Sequence, residues 1–279
     1  MTVHAKDVGG ARPRGATFLE PLRLPLSRYP AGEHVRVTQS DRWAATATAV
    51  PLDQPAQPWY RQIGPRVRQS VLLKSIGTPV VIVVFLLLYQ YLLNHPIFPV
   101  TEMPLTALDR VVGFSPPALV LYASLWLYVS IPPTLLESRR ELFGYTWAIG
   151  GVCLIGLACF LLWPTAVPPL DFDRGRHPGF QVLQGIDAAG NACPSLHVAT
   201  ALFSAVWLAV LLREMRAPWI ARGANWAWGL GIVYSAMATK QHVALDVLAG
   251  AVLGLAGAGL SLRYRAGPGR AAAAGSRAW

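Results

Sequence analysis

The chain has 279 residues, of which 53% are hydrophobic and only 14% are charged. Because a typical soluble domain carries roughly 25% charged residues, this composition excludes a water-soluble globule of this size. The formal net charge is +10, but the basic residues do not form one basic helical face, which argues against a nucleic-acid partner. The three cysteines, Cys153, Cys159 and Cys193, are too few for a disulfide framework.

Residues 1–60 are polar, contain seven prolines and show no helical or strand period. This pattern predicts a disordered tail. The long apolar runs all lie within residues 61–265, which we expect to form one membrane-embedded catalytic domain. Residues 266–279 are predicted to form a second flexible tail.

Six apolar segments follow the N-terminal tail in chain order. They cover approximately residues 73–93, 117–136, 145–163, 195–212, 225–239 and 243–262. Each approaches the ~20 residues that a helix needs to cross the hydrocarbon core, although the fifth is short. Backbone groups in lipid must be hydrogen-bonded internally, so these segments are predicted to be helices. The expected fold is therefore all-α, a polytopic bundle of six transmembrane helices.

The basic residues next to these segments alternate between two sides of the membrane. One side has twelve of them: Arg61, Arg66, Arg68, Lys74, Arg139, Arg140, Arg213, Arg216, Arg222, Arg263, Arg265 and Arg270. The other side has four: Arg110, Arg174, Arg176 and Lys240. The positive-inside rule then predicts a multi-pass cell-membrane protein with both termini cytoplasmic and with loops 94–116 and 164–194 outside.

Two polar stretches occur where the fourth and sixth segments begin, both on the predicted outer side. The first contains His197, and the second contains His242 and Asp246. Because His242 and Asp246 are four residues apart, we expect them to share a helix face. The carboxylate of Asp246 would then orient the imidazole and leave Nε2 of His242 free as a nucleophile. A carboxylate in a membrane helix is costly, which also favours a functional role for Asp246.

The sequence before His197 predicts a place for an anion. Pro194 is favoured at the first position of a helix, so the N–H groups of Ser195 and Leu196 would point out of a helix N-terminus. Phosphate is a natural ligand for that geometry. His197, just inside the helix, is positioned to protonate a leaving alkoxide.

These residues resemble a known family. Pro194-Ser195-Leu196-His197 and His242-x-x-x-Asp246 look like the second and third signature motifs of the type 2 phosphatidic acid phosphatase superfamily. The resemblance covers about residues 71–262 and implies a six-helix membrane enzyme that uses neither metal nor cofactor. It implies that His242 forms a phosphohistidine, that Asp246 orients it and that His197 protonates the leaving group. The implied partners are membrane lipids and a lipid phosphate substrate.

The chain departs from that family pattern in three places. The first motif, a Lys followed seven residues later by Arg-Pro, is not found; Leu196 replaces a glycine; and Ala236 replaces an arginine. In place of the missing motif residues, we expect three other cations to bind the substrate phosphate: Lys240, Arg174 and Arg176. Leu196 and the missing first motif resemble the branch that contains inositol phosphorylceramide synthase and sphingomyelin synthase, which transfer a phospho-headgroup to a lipid alcohol. Hydrolysis and transfer both stay open.

Two other classes of protein compete with phosphoryl transfer. Ser195 and His242 could form a hydrolytic serine–histidine dyad, although no Gly-x-Ser-x-Gly turn surrounds Ser195. The absence of His-Glu-x-x-His argues against a zinc protease. A transporter or scaffold with structural histidines would be expected to show matched Gly or Pro interruptions in its two halves, and none recur.

Small residues predict how the catalytic helices meet. Gly250 and Gly254 continue the Asp246 face of the sixth segment, with Gly257 close by. Ala201 and Ala205 follow His197 in the fourth segment. Small residues allow close approach of membrane helices, so we expect the fourth and sixth helices to touch and to bring the two histidines together.

Overall fold

The structure is a computed structural model that describes residues 57–169 and 190–265. These residues all belong to the second of two compact units, Ala56–Trp279. The predicted tail at residues 266–279 and nearly all of the predicted tail at residues 1–60 lie outside the described residues. The first described helix begins at Trp59, so helical structure starts before residue 61, where the sequence placed the domain boundary.

The described residues form nine helices and two short strands. In chain order they are α1 Trp59–Arg68, α2 Val71–Asn94, β1 Thr101–Glu102, α3 Ala107–Val111, α4 Ala118–Ala123, α5 Leu125–Leu135, α6 Arg139–Leu162, β2 Thr165–Ala166, α7 Leu196–Glu214, α8 Trp219–Ala238 and α9 Ala244–Tyr264. The expectation of a mostly helical fold is confirmed.

Within the described residues, five helical stretches are long and apolar enough to cross a membrane: Val71–Asn94, Ala118–Leu135, Arg139–Leu162, Leu196–Glu214 and Ala244–Tyr264. The second of these joins α4 and α5, which are separated at Ser124. Helix α8 is 20 residues long but is not one of the five. This helix contains the fifth predicted segment and carries the polar residues Arg222 and Asn225. The count of six membrane-spanning helices therefore stays a prediction.

Helix α7 lies at the centre of the bundle. It contacts α5, α6, α8 and α9, and its residues are buried on all sides, as Val198, Phe203 and Leu211 illustrate. Hydrogen bonds between helices supplement this packing. The hydroxyl of Tyr128 on α5 donates a hydrogen bond to Oδ1 of Asn225 on α8 at 2.8 Å, and the side-chain amide of Asn225 donates to the carbonyl of Ala205 on α7 at 3.0 Å. Such interhelical hydrogen bonds stabilise membrane bundles where apolar contact alone does not select partners.

The two ends of the bundle are built differently. At one end β1 pairs in parallel with β2, with Thr101 opposite Thr165, so the loops predicted to lie on the same outer side are joined. At the other end Lys74 donates to the carbonyls of Thr134 and Leu136 at 3.0 and 2.8 Å. There Arg265 also pairs with Glu141 and Glu214. We refer to these as the strand end and the ion-pair end.

Candidate active site

The two predicted catalytic histidines lie at the strand end of the bundle. His197 is in the first turn of α7, and His242 is in the turn between α8 and α9. The backbone N–H of Ser195 donates to the carbonyl of Asp246 at 3.0 Å, which ties the start of α7 to the start of α9. The imidazoles of His197 and His242 are close enough to interact electrostatically. The structure therefore places the two histidines at the same end of the bundle, as predicted.

The placement of His242 relative to Asp246 differs from the shared helix face that the sequence predicts. His242 precedes Val243, which is the N-cap of α9, so the two side chains do not share a helix face. Nδ1 of His242 lies 3.6 Å from Oδ2 of Asp246, which is longer than a hydrogen bond. Oδ2 instead accepts the N–H of Val243 at 3.0 Å. Asp246 both caps its own helix and faces the imidazole.

The site contains buried polar atoms that are not satisfied. His242 is 7% exposed and Asp246 is fully buried. Among the described residues, His242 Nδ1, Asp246 Oδ1 and His197 Nε2 have no hydrogen-bond partner. Leaving such groups unpaired costs about 1–3 kcal/mol each, more for a charge, so these three atoms are available to a bound substrate or to water.

His197 is held by an aromatic neighbour that the sequence did not indicate. Its ring stacks on Tyr122 of α4, with centroids 3.7 Å apart and an angle of 10° between the planes. Tyr122 is only 3% exposed, so its ring fixes the plane of the imidazole. Tyr122 falls within a predicted membrane segment with no neighbouring motif, and no local signal in the sequence marks it.

Ser195 and Leu196 occupy other positions than the predicted ones. Ser195 is the N-cap of α7, so the first helical residue is Leu196 and not Pro194, and the hydroxyl of Ser195 accepts the N–H of Val198 at 3.2 Å. Because the N–H of Ser195 is bound to Asp246, the free donors move one residue along the chain. Within the described part of the chain, the N–H groups of Leu196 and His197 have no partner. The helix N-terminus next to His197 is thus still able to accept an anion.

The side chain of Leu196 packs against another helix. Leu196 is buried, and its Cγ lies 2.8 Å from the position that a Cβ would occupy at Gly156 of α6. A side chain at residue 156 would collide with it. The leucine that stands where the resembled motif has a glycine is therefore accommodated by a glycine on the facing helix.

Glycines bring α9 against α7 as expected. A Cβ at Gly250 would lie 3.1 Å from the carbonyl carbon of Ser195, and one at Gly254 would lie 2.8 Å from Cα of Ala199. Neither position has room for a side chain. Ala205 was expected to serve this contact too, but it lies 3.2 Å from the Cβ position of Gly229 and so faces α8. The predicted contact between the fourth and sixth helices is confirmed, with backbone pressed against backbone beside the histidines.

Lys240 is held by backbone oxygens in the structure. Its ammonium donates to the carbonyls of Asp109, at 2.8 Å, and Val112. Burial lowers its pKa, and the nearby charge of Asp109 opposes that shift. Asp109 also accepts the N–H of Ala244 at 2.7 Å, at the start of α9. These bonds fasten α3 to the turn that carries His242, and a phosphate-binding role for Lys240 stays a prediction.

Cys193 lies beside the carboxylate of Asp246. Burial and the charge of Asp246 raise the pKa of its thiol to about 11. The thiol is therefore neutral at physiological pH and is a poor nucleophile. Its backbone N–H donates to Thr165 Oγ1 at 2.8 Å, which secures the segment before α7 to β2.

Residues 142–269 match the model of the PAP2 superfamily. The match contains all three proposed catalytic residues, His197, His242 and Asp246, and supports membership of this superfamily. It also supports a phosphatase or phosphotransferase activity in a membrane protein. The chain has no significant match among curated proteins or solved structures.

The PAP2 match leaves out the first part of the bundle, where the structure adds residues to the site. Tyr122 and Asp109 both precede residue 142. For Asp109 a signal existed: Thr106-x-x-Asp109 forms a capping box, with Asp109 Oδ2 accepting the N–H of Thr106 at 2.7 Å. That pattern predicts a helix start. Arg174 and Arg176, predicted as phosphate ligands, lie outside the described residues.

Proposed function

We propose that this chain is an integral-membrane enzyme that transfers phosphoryl groups of lipid phosphates through a phosphohistidine at His242, and that it hydrolyses the phosphate ester. One observation carries the proposal. Two imidazoles and a fully buried carboxylate converge at one end of an apolar bundle, inside a region that matches the PAP2 superfamily.

The proposed chemistry has two steps. Nε2 of His242 attacks phosphorus, the bond from phosphorus to the lipid oxygen breaks, and His197 gives its proton to the leaving oxygen. Water then attacks the phosphohistidine, His197 accepts a proton from that water, and the bond from phosphorus to nitrogen breaks. Asp246, 3.6 Å from Nδ1 of His242, stabilises the positive charge that develops on the imidazole. Neither step needs a metal or a cofactor.

The phosphate oxygens are proposed to lie at the N-terminus of α7. The N–H groups of Leu196 and His197 are free there within the described residues, and the helix dipole favours a negative charge. Lys240, Arg174 and Arg176 remain proposed as additional phosphate ligands. Ser195 is a less suitable nucleophile than His242, because it is fully buried and its hydroxyl caps α7. This favours phosphoryl transfer over a serine–histidine hydrolase.

The active site is proposed to face the extracytoplasmic side. The ion-pair end of the bundle contains Arg66, Lys74 and Arg265, and basic residues favour the cytoplasmic side. The strand end, with both histidines, would then lie at the outer interface with both termini inside. There an amphiphilic substrate keeps its acyl chains in lipid while its phosphate reaches His242. This placement requires α8 to cross the membrane as a sixth span.

The acceptor could also be a lipid alcohol, as in the branch that contains inositol phosphorylceramide synthase. The observation in favour is Leu196, whose side chain the structure accommodates against Gly156. Chemically an alcohol replaces water in the second step, and His197 acts as the base in both cases. A radiolabelled lipid phosphate, incubated with and without ceramide or diacylglycerol, separates free phosphate from a new phospholipid product.

The decisive experiment is to trap the intermediate. Purified protein is mixed with a lipid carrying a labelled phosphoryl group and is quenched in alkali, where phosphohistidine survives. We expect a labelled protein for wild type and for His197→Ala, and none for His242→Ala. Label that persists in His242→Ala would exclude His242 as the nucleophile. Absence of label and of phosphate release in wild type, together with transport activity in proteoliposomes, would favour a transporter.

A further inference from the structure

We propose that Gln241 binds the phosphate of the substrate through its side-chain amide. Gln241 directly precedes His242 in the turn between α8 and α9, and consecutive Cα atoms are only about 3.8 Å apart. The two steps proposed for phosphoryl transfer do not involve this residue. The inference rests on the proposed function, because it adds a substrate-binding residue to the same site.

Buried side-chain atoms that lack a hydrogen-bond partner are concentrated around this turn. Within the described residues there are six such atoms, and four of them belong to His197, Gln241, His242 and Asp246. The other two belong to arginines in α1 and in the first turn of α8. Gln241 is only 4% exposed, and its unpartnered atom is Nε2, which can only donate a hydrogen bond. The turn therefore contains a buried donor that still needs an acceptor.

The side chains on either side of Gln241 already have partners. The ammonium of Lys240 donates to the carbonyls of Asp109 and Val112. The imidazole of His242 faces Asp246. Ala236, which stands where the resembled motif has an arginine, has no side-chain donor. Among the described side chains of this turn, the amide of Gln241 is thus the donor left for an anion.

The backbone that carries Gln241 is held on both sides. The N–H of His242 donates to the carbonyl of Ala236 at 3.1 Å. The N–H of Ala244 donates to Oδ1 of Asp109 at 2.7 Å, which ties the turn to α3. A donor on a fixed backbone loses less conformational freedom when it binds a ligand than one on a mobile loop. These bonds therefore favour a binding role for the buried amide.

The N-terminus of α7 supplies further donors beside the same turn. The N–H of Ser195 donates to the carbonyl of Asp246 at 3.0 Å, which joins the start of α7 to the first turn of α9. Within the described residues, the N–H groups of Leu196 and His197 have no partner. The unesterified oxygens of a phosphate accept several hydrogen bonds at once. The amide of Gln241 and these two N–H groups would bind different oxygens of one phosphate.

Two substitutions at Gln241 and one control separate binding from folding. Gln241→Met removes the donor and keeps the length of the side chain. Because Nε2 has no partner in the described part of the chain, this change breaks no hydrogen bond and should not lower the melting temperature. Gln241→Glu has nearly the same shape and places a negative charge beside the phosphate. The control is Gln69→Met, the same substitution at an exposed glutamine between α1 and α2.

The probe is inorganic phosphate, added to the full-length protein in detergent micelles with chloride of equal ionic strength as the reference. A ligand of the folded state raises the melting temperature with its concentration, which yields Kd. We expect one Kd for wild type and Gln69→Met. Gln241→Met should raise Kd about ten- to hundredfold, as for a hydrogen bond to a charged group, and Gln241→Glu should raise it further. KM for phosphatidic acid should rise by a similar factor, with a smaller change in kcat.

Three results would overturn the proposal. Equal Kd values for wild type and Gln241→Met would show that the amide does not bind phosphate, and so would a wild type that phosphate does not stabilise. A lower melting temperature in Gln241→Met at unchanged Kd would assign the amide to structure, through a bound water molecule. Binding of inorganic phosphate needs no turnover, so these results are independent of the trapping experiment that tests the phosphohistidine at His242.

Discussion

Leu196 lies over Gly156, and the two residues fit only as a pair. Because Cγ of Leu196 lies 2.8 Å from the Cβ position of residue 156, Gly156→Val should force the start of α7 away from α6. Overpacking of this kind costs about 1–3 kcal/mol, and we expect a lower melting temperature and lower activity. Leu196→Gly should restore much of both in the double variant, as a double-mutant cycle would measure. Additive losses would show that the two residues are not coupled.

Asp246→Asn should lower kcat by about 10²-fold or more, because the neutral amide no longer stabilises a positively charged His242. Asparagine can still accept the N–H of Val243 that Asp246 Oδ2 now accepts, so the helix cap and the melting temperature should change little. The measurement is the rate of phosphate release alongside a thermal unfolding curve. A near-normal rate would remove Asp246 from the mechanism.

Tyr122 should act by positioning His197. Tyr122→Phe keeps an aromatic ring against the imidazole, whereas Tyr122→Leu removes the stack. Such ring pairs contribute about 0.5–1.5 kcal/mol, so we expect Tyr122→Leu to reduce kcat by about two- to tenfold relative to Tyr122→Phe, with KM unchanged. The pH dependence of kcat should also move in the leucine variant. If both variants lose activity equally, the ring stack is not the source of the effect.

Lys240 can be assigned to structure or to phosphate binding by comparison with Asp109. Asp109→Ala removes the acceptor for the N–H of Ala244 and should cost about 0.5–2 kcal/mol, as for other helix caps. If Lys240 only fastens α3 to the turn before His242, Lys240→Met should also lower the melting temperature. If its ammonium binds substrate phosphate, Lys240→Met should raise KM at unchanged stability. Melting curves and KM values for the two variants decide between these roles.

Cys193 should resist alkylation at neutral pH. Because the pKa of its thiol is raised to about 11, the thiolate fraction is very small near pH 7 and grows tenfold per pH unit until that value is approached. In a variant with Cys153 and Cys159 replaced by alanine, the rate of maleimide labelling should still be rising at pH 10. A plateau reached by pH 10 would contradict the raised pKa. A short peptide containing one cysteine is the control.

Much of the membrane architecture could be predicted from the sequence because hydropathy is a local property. The six apolar segments all correspond to helices, and five of these meet the criteria for spanning. The break at Ser124 was not predicted. At this break the hydroxyl of Ser124 donates to the carbonyl of Leu121 and accepts from Trp228 of α8, and the second of these bonds joins two helices that are distant in the sequence. The β1–β2 pair was also missed, because two residues per strand leave no periodic signal.

The sequence alone predicted which side chains would carry the chemistry, and it determined that glycines would bring the helices of these residues together. Motif spacing and helix periodicity within one segment are sufficient for that. Tertiary structure decided how the site is held: the stack of Tyr122 on His197, the fit of Leu196 against Gly156, and the bond from Ser195 to Asp246. Each of these joins residues from different helices, and their approach depends on packing across the whole bundle, which no local pattern of residues encodes.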